Sequence, residues 1–238
     1  MSESTSIEWT DSTWNPWRGC RKVSAGCAHC YMYREQTRYG RDPLAVVRTA
    51  PATFNAPLRW NGPRRVFTCS WSDFFIEEAD PWRADAWEII RSTPQLTYQV
   101  LTKRPERIAA HLPPDWGEGW PNVWLGTSIE SYLRWQRMVP LSRVPAKVRF
   151  VSAEPLLGSL ALSSFGSYGI GWVIVGGESG PGARPMDPEW AREVRDLCVS
   201  EGIPYFLKQL GGHPDKRSHD KAVLDGRRWT EIPPWGGP

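Results

Sequence analysis

Cys20, Cys27 and Cys30 fall within eleven residues, in the stretch Trp14-Asn15-Pro16-Trp17-Arg18-Gly19-Cys20-Arg21-Lys22-Val23-Ser24-Ala25-Gly26-Cys27-Ala28-His29-Cys30-Tyr31. Three thiols this close in sequence can serve one metal centre. Thiolate is a soft donor and suits zinc or an iron–sulfur cluster. Gly19 and Gly26 each directly precede a cysteine, where glycine lets the backbone turn sharply. Structural zinc sites commonly join two ligand pairs into a tetrahedron, and this stretch has three cysteines and no second pair. His29 could supply a fourth ligand, but it sits between Cys27 and Cys30 and would strain the loop. A cluster held by three cysteines leaves one iron open to a small molecule. The residues leave three readings, in this order: an open-site cluster, a zinc site, and a structural or redox role for the thiols. A disulfide framework ranks last, because the count of 5 cysteines is odd and 238 residues is too long for a small stapled scaffold.

Such a loop needs a scaffold. Short β-branched runs alternate with amphipathic stretches along the chain, the order of a parallel sheet. The pattern predicts a first strand over 7–14 leading into the cysteine loop, then a helix from Tyr31 to a stop at Gly40. Further strands are predicted at 65–71, 97–102, 122–128, 147–153, 171–177 and 204–209. Asp80-Pro81 and Asp187-Pro188 read as capped helix starts. Shorter helices are predicted at 105–112 and 131–139, and the crossover over 156–170 is poorly helical. The predicted fold class is α/β, a full or partial (β/α) barrel of six or seven parallel strands with the cysteine loop after strand one. A doubly wound open sheet is the alternative. The barrel is expected to be one domain over 1–211. The polar tail over 212–238, with Lys216, Arg217, Lys221, Arg227 and Arg228, reads as a loosely held flap or a disordered end.

In a β/α barrel, chemistry collects at the carboxyl ends of the strands. Polar residues do follow the apolar runs here. Ser72, Asp73, Lys103, Arg104, Ser128, Glu130, Gly176, Gly177 and Glu178 are the candidate cofactor-binding residues. Glu154 and Lys208 are the candidate catalytic residues. Several have a plainer reading. Glu130 could be a helix cap, Lys103-Arg104 a solvated pair or a clamp for a carboxylate or phosphate, and Lys208 a partner for one of the acids. Cys69 reads as core or as a fourth thiol near the centre, and Cys198 as core. His111, His213 and His219 show no ligand spacing, and no Ser-His-Asp arrangement stands out.

A net charge of +3 permits a nucleic-acid partner without demanding one. Most of the 15 tryptophans read as core. Trp14, Trp17 and Trp71 flank the candidate site residues and are candidate stacking surfaces for a base or an adenine ring. No apolar leader and no run of bilayer length is present, so the expectation is a cytoplasmic protein without a membrane partner.

An open-site cluster at the mouth of a (β/α) barrel resembles the radical S-adenosylmethionine (SAM) superfamily. More closely, the chain resembles the three-cysteine-motif, radical-SAM-like proteins carried by phages and bacteria. The matching stretches are Thr13-Trp14-Asn15-Pro16 with the cysteine loop, Leu101-Thr102-Lys103-Arg104-Pro105-Glu106-Arg107, Val123-Trp124-Leu125-Gly126-Thr127-Ser128, Ser152-Ala153-Glu154-Pro155-Leu156-Leu157-Gly158, the segment from Trp172 to Met186, and Phe206-Leu207-Lys208-Gln209. The resemblance implies that Cys20, Cys27 and Cys30 hold a [4Fe–4S] cluster. It further implies that the open iron binds SAM, and that reductive cleavage yields methionine and a 5′-deoxyadenosyl radical that takes hydrogen from substrate. An electron-donor protein, an unknown substrate that could be DNA or RNA, and a partner protein completing the site follow as expectations. Two departures are visible. The superfamily spaces its cysteines by three residues and then two, and here the gaps are six and two. The superfamily's Gly-Gly-Glu-type motif follows strand two, where this chain has Ser72-Asp73, while Gly176-Gly177-Glu178 follows strand six. The competing readings are a zinc-bearing nucleic-acid-binding module without catalysis and a redox-sensing cluster protein.

Overall fold

The computed structural model describes residues 4–212 and 222–234. Lys216, Arg217, Lys221, His213 and His219 lie outside the described residues. Seven strands make one parallel sheet: β1 (Ser12–Trp14), β2 (Arg64–Thr68), β3 (Leu96–Thr102), β4 (Val123–Ser128), β5 (Val148–Ala153), β6 (Trp172–Gly176) and β7 (Tyr205–Gln209). They lie side by side in chain order. An order that never reverses has no switch point, so the doubly wound alternative is excluded. The sheet curls into a half-barrel, open between β1 and β7.

The two faces divide by the period-two alternation of strands. Val66, Tyr98, Val100, Val123, Leu125, Val151, Val173 and Leu207 face one large core. The apolar stripes of α2 (Asp80–Arg91) and α3 (Pro188–Glu201) enter the same core through Ala86, Ile90, Val194 and Cys198, while α1 (Tyr31–Arg38) follows the cysteines. The other face carries Trp124, Phe150, Trp172, Ile174 and Phe206, covered by Trp9 from the N-terminal segment. Gly126 lies flat under Phe150, whose ring a Cβ at that position would meet at 2.4 Å. This aromatic plug fills the base of the inner face. The inner positions nearer the carboxyl ends, Ser128, Ser152 and Lys208, are polar.

Several expectations need correcting. The first strand is three residues rather than eight, and the segment holding the cysteines is flanked by a two-residue antiparallel pair, Trp17–Arg18 before it and Val47–Arg48 after α1. Strand two ends at Thr68, because Cys69 takes a left-handed turn at φ 65°. Asp80 does not cap α2; it binds Arg83 at 2.6 Å and Arg107 at 2.8 Å. Asp187 does cap α3, accepting the Glu189 amide at 2.9 Å. The predicted helix over 105–112 is two 3₁₀ turns, and the one over 131–139 is a 3₁₀ segment running into a five-residue helix. Segments this short gain too few hydrogen bonds to offset nucleation of an α-helix. The described part of the tail is held down rather than loose. It forms a hairpin, Val223–Leu224 with Arg227–Arg228, and then pairs along β7 through Leu207 N to Trp229 O (2.8 Å) and Glu231 N to Tyr205 O (3.1 Å). That pairing covers an otherwise open sheet edge.

Candidate functional site

The cysteine segment runs across the carboxyl ends of the strands and is fastened there at several points. Its entry is set by the turn after β2. Asn15, 3 % exposed, accepts the Trp71 amide at 2.7 Å and donates to Ser70 Oγ at 3.0 Å. Ser72 donates to the Gly19 carbonyl at 2.6 Å, and the Gly19 amide donates to Trp71 O at 3.1 Å. Trp14 and Trp17 are fully buried; their indoles donate to Phe54 O and Asp73 O, each at 3.0 Å. They brace this turn, which corrects the stacking role considered for them. Gly19 has φ +87°, and a Cβ there would lie 2.2 Å from the Ala45 carbonyl oxygen. Only glycine fits that crossing.

The rim acids act mainly on this segment. Asp73 is saturated: it accepts from the Phe75 amide (2.9 Å), Thr102 Oγ1 (2.6 Å), the Lys103 amide (2.9 Å) and Arg104 (3.0 Å). Arg104 in turn donates to Arg21 O at 3.0 Å, inside the cysteine segment. Glu130, 2 % exposed, accepts Ser24 Oγ at 2.6 Å and pairs with Arg137 at 3.0 Å and Lys103 at 3.3 Å. Burial alone would raise its pKa; the Lys103 and Arg137 charges outweigh that and hold it below the usual carboxylate range. Ser128 is buried and gives its carbonyl to Arg137 at 2.8 Å. Glu178 accepts from Arg184 at 2.6 Å and meets His29 Nδ1 at 2.9 Å, while Arg184 also donates to Ala25 O at 3.0 Å. His29 is thereby committed to Glu178. A pocket of about 310 Å³ lies beside this fastening, bordered by Ala25, Glu130, Arg134, Leu157 and Arg184.

Gly26 belongs to the same joint, since a Cβ there would stand 2.4 Å from Glu130 Cγ. Glu130 is tied on both oxygens, so moving aside means giving up its bonds to Ser24 or Arg137. Gly26→Ala is therefore expected to cost about 1–3 kcal/mol, the usual range for overpacking, read as a lower urea midpoint. A pH effect follows from Glu178. Burial raises its pKa, but the hydrogen bonds from Arg184 and His29 prevail and hold it at about 2. The stability this carboxylate contributes is complete above the free-Glu value of ~4.3 and is lost as pH falls through about 2. The melting-temperature gap between the wild type and Glu178→Gln should be constant from neutral pH down to ~4.3, shrink as pH falls from there to about 2, and level off below.

Glu154 and Lys208 stand apart from the fastening. Lys208 Nζ donates to Glu154 Oε1 at 2.5 Å, and Gln209 Nε2 donates to the same oxygen at 3.2 Å. Neighbours on a regular strand point to opposite faces. Here a register shift between Val175 and Gly176 sets Gln209 beside Gly176 and lets both residues reach Glu154. Gly176 leaves little space beside the pair, because a Cβ would be 3.2 Å from both Gln209 Nε2 and Glu154 and would push on them. Gly177 exchanges hydrogen bonds with Gln209, giving its amide to Gln209 O and accepting Nε2 on its carbonyl, each at 2.8 Å. The pair is partly exposed, Lys208 at 27 % and Glu154 at 21 %, so it meets solvent and any bound molecule.

The five cysteines are all free thiols. Among the described residues, no group of three or more His, Cys, Asp or Glu side chains is already arranged to hold a metal ion. The three loop thiols sit on one short segment and are close enough to feel one another's charge. Cys27 and Cys30 both act on the Cys20 thiol, and all three act on the Tyr33 hydroxyl, which donates to Cys20 O at 2.8 Å. Burial, reinforced by Asp73, pushes Cys20 up to about 12, and burial raises Cys30 as well. Arg104 and Lys103 pull the other way, on Cys20 and Cys30 respectively. Three soft donors on one loop fit a thiophilic centre in chemistry, although without a bound metal burial keeps Cys20 and Cys30 in the thiol form. Tyr31 follows Cys30 directly and ties the start of α1 to the turn after β2. It donates to Ser70 O at 2.7 Å, and burial of its hydroxyl, with Cys30 and Glu154 nearby, raises its pKa. Cys69 and Cys198 lie in the large core. Arg137 carries no mark in the sequence; Asn15 and Ser24 stand in the cysteine stretch and Arg184 in the segment from Trp172 to Met186, but nothing local assigns them a partner.

These features define a class: an α/β half-barrel whose carboxyl-end rim carries a fastened segment of three thiols and a Glu–Lys pair. The chain belongs to the family described as protein of unknown function DUF5131, whose profile matches residues 4–233. No curated protein and no solved structure matches it.

Proposed function

We propose that the chain is an iron–sulfur enzyme of the radical SAM type, using Cys20, Cys27 and Cys30 to hold a [4Fe–4S] cluster after strand one of the barrel and acting on a substrate that remains to be identified. The observation that carries the reading is the segment of three free thiols fastened across the carboxyl ends of the strands by Ser72, Arg104, Glu130 and Glu178, on a rim that also carries the Glu154–Lys208 pair. When bound, the cluster would supply the electron that cleaves SAM, and an external donor protein would reduce it.

The chain's own residues have separable tasks. Asp73, Glu130 and Glu178 hold the loop through Arg104, Ser24, His29 and Arg184, so the thiols stay together while a small molecule enters or leaves. Lys208 presents an ammonium to a carboxylate. Glu154 has Oε1 occupied and offers Oε2 to an ammonium or hydroxyl. Both groups lie on the solvent-reachable side of the rim, where they can orient a bound amino acid moiety and move a proton. The aromatic plug under them keeps water out of the base of the barrel.

The test is formation of methionine and 5′-deoxyadenosine from SAM by reconstituted protein under strong reductant. Lys208→Ala is expected to keep its iron and lower that rate about 10²-fold, the low end for loss of a positioned acid–base group. Iron-loaded wild-type protein that leaves SAM intact would contradict the proposal.

A further inference from the structure

We propose that the patch formed by Tyr39, Trp71, Arg18, Arg38 and Arg41 docks a single-stranded nucleic acid beside the cysteine loop. This goes beyond the reading above and does not depend on it, because no residue of the patch is a thiol or a rim acid.

Three features coincide here. Tyr39 is 56 % exposed, and its ring lies 6.3 Å from that of Trp71, tilted by 40°. The Arg41 guanidinium sits 5.5 Å from the Tyr39 ring centre. Among the described residues, no carboxylate bonds to Arg18, Arg38 or Arg41. The acids of this stretch are engaged elsewhere: Glu35 pairs with Arg34 at 3.8 Å, and Asp42 accepts the Leu44 amide at 2.9 Å. Arg38 also suits its place in the last turn of α1, where a cation faces the helix's negative end. Arg18 directly precedes Gly19, whose amide donates to Trp71 O at 3.1 Å, so the chain brings a further cation to the same place. Burial and then the Arg41 charge both make the Arg18 cation less favourable. An anion between them would relieve that repulsion.

The aromatic rings narrow the choice of anion. An acidic peptide would satisfy the arginines and leave the rings in water. A nucleic-acid strand uses both, with phosphates on the arginines and unstacked bases on the exposed aromatic faces. The patch also borders the loop entry. Trp71 O accepts the Gly19 amide at 3.1 Å, and the Cys20 amide donates to Pro43 O at 3.0 Å. A strand lying here would have a base within reach of the rim.

The test is fluorescence anisotropy of a labelled single-stranded 12-mer, as DNA and as RNA, with the full chain at several salt concentrations. Saturable binding of either strand, weakening with salt, is expected. Tyr39→Ala should weaken it about tenfold, the loss of one stacked base. Arg38→Glu with Arg41→Glu should reduce the slope of log affinity against log salt by about 1.4, at ~0.7 per phosphate. Tyr39 is mostly exposed, so its variant is expected to melt like the wild type. The proposal is overturned if neither strand binds, if these variants bind as the wild type does, if Arg227→Glu on the tail hairpin weakens binding equally, or if a duplex binds better than either strand. Repeating the titration on Cys20→Ala separates this claim from the metal: docking should persist there, and its failure in the wild type would leave the cluster reading standing.

Discussion

Glu130→Ala is expected to destabilise the folded chain by about 3–5 kcal/mol, the penalty for removing one partner of a buried charge network. Glu130 is 2 % exposed and meets two cations, Lys103 at 3.3 Å and Arg137 at 3.0 Å, themselves only 19 % and 12 % exposed. Removing the carboxylate leaves both cations without their counter-charge, and Ser24 loses its 2.6 Å acceptor. The cysteine segment would then be freed near Cys27. The loss should appear as a lower urea midpoint with little change in slope. Glu130→Gln keeps the shape and an acceptor for Ser24 but not the charge, and should fall between the variant and the wild type. A wild-type midpoint for Glu130→Ala would show that the network does not hold the loop.

The second large effect concerns the thiols. Cys20→Ala, Cys27→Ala and Cys30→Ala should each abolish iron binding and visible absorption after anaerobic reconstitution, because the proposed cluster has no spare protein ligand. Cys69→Ala and Cys198→Ala should keep both. Cys69 is 3 % exposed in the large core and its amide is tied to Trp14 O at 2.8 Å; Cys198 lies on the buried face of α3. Colour that survives all three loop substitutions would show that the ligands are elsewhere.

The contrast between strands and site shows what sequence can carry. β3 to β7 were readable to within about a residue, since each is a dense apolar run bounded by polar or glycine residues, and burial on both faces leaves such a run little freedom. α3 was readable for a local reason: Asp187 caps it and Gly202 ends it. The short crossovers were misread as helices, because their periodicity was real but their length was not enough. At the site, the sequence supplied the thiols and the ring of acids, and not the connection between them. Ser24 meets Glu130 across 106 positions, His29 meets Glu178 across 149, and Arg184 meets Ala25 across 159. No local pattern encodes such pairings. Asn15 illustrates the same limit: it stands in a recognisable Trp-Asn-Pro-Trp stretch, and its work is to hold Ser70 and Trp71, 55 and 56 positions away.

The most direct test of the central claim is made on protein purified without oxygen: iron and zinc counts, then electron paramagnetic resonance of the reduced sample with and without SAM. The account predicts about four irons per chain for a single [4Fe–4S] centre and a resonance that shifts when SAM is added. A colourless sample carrying one zinc, or a cluster whose resonance ignores SAM, would contradict it.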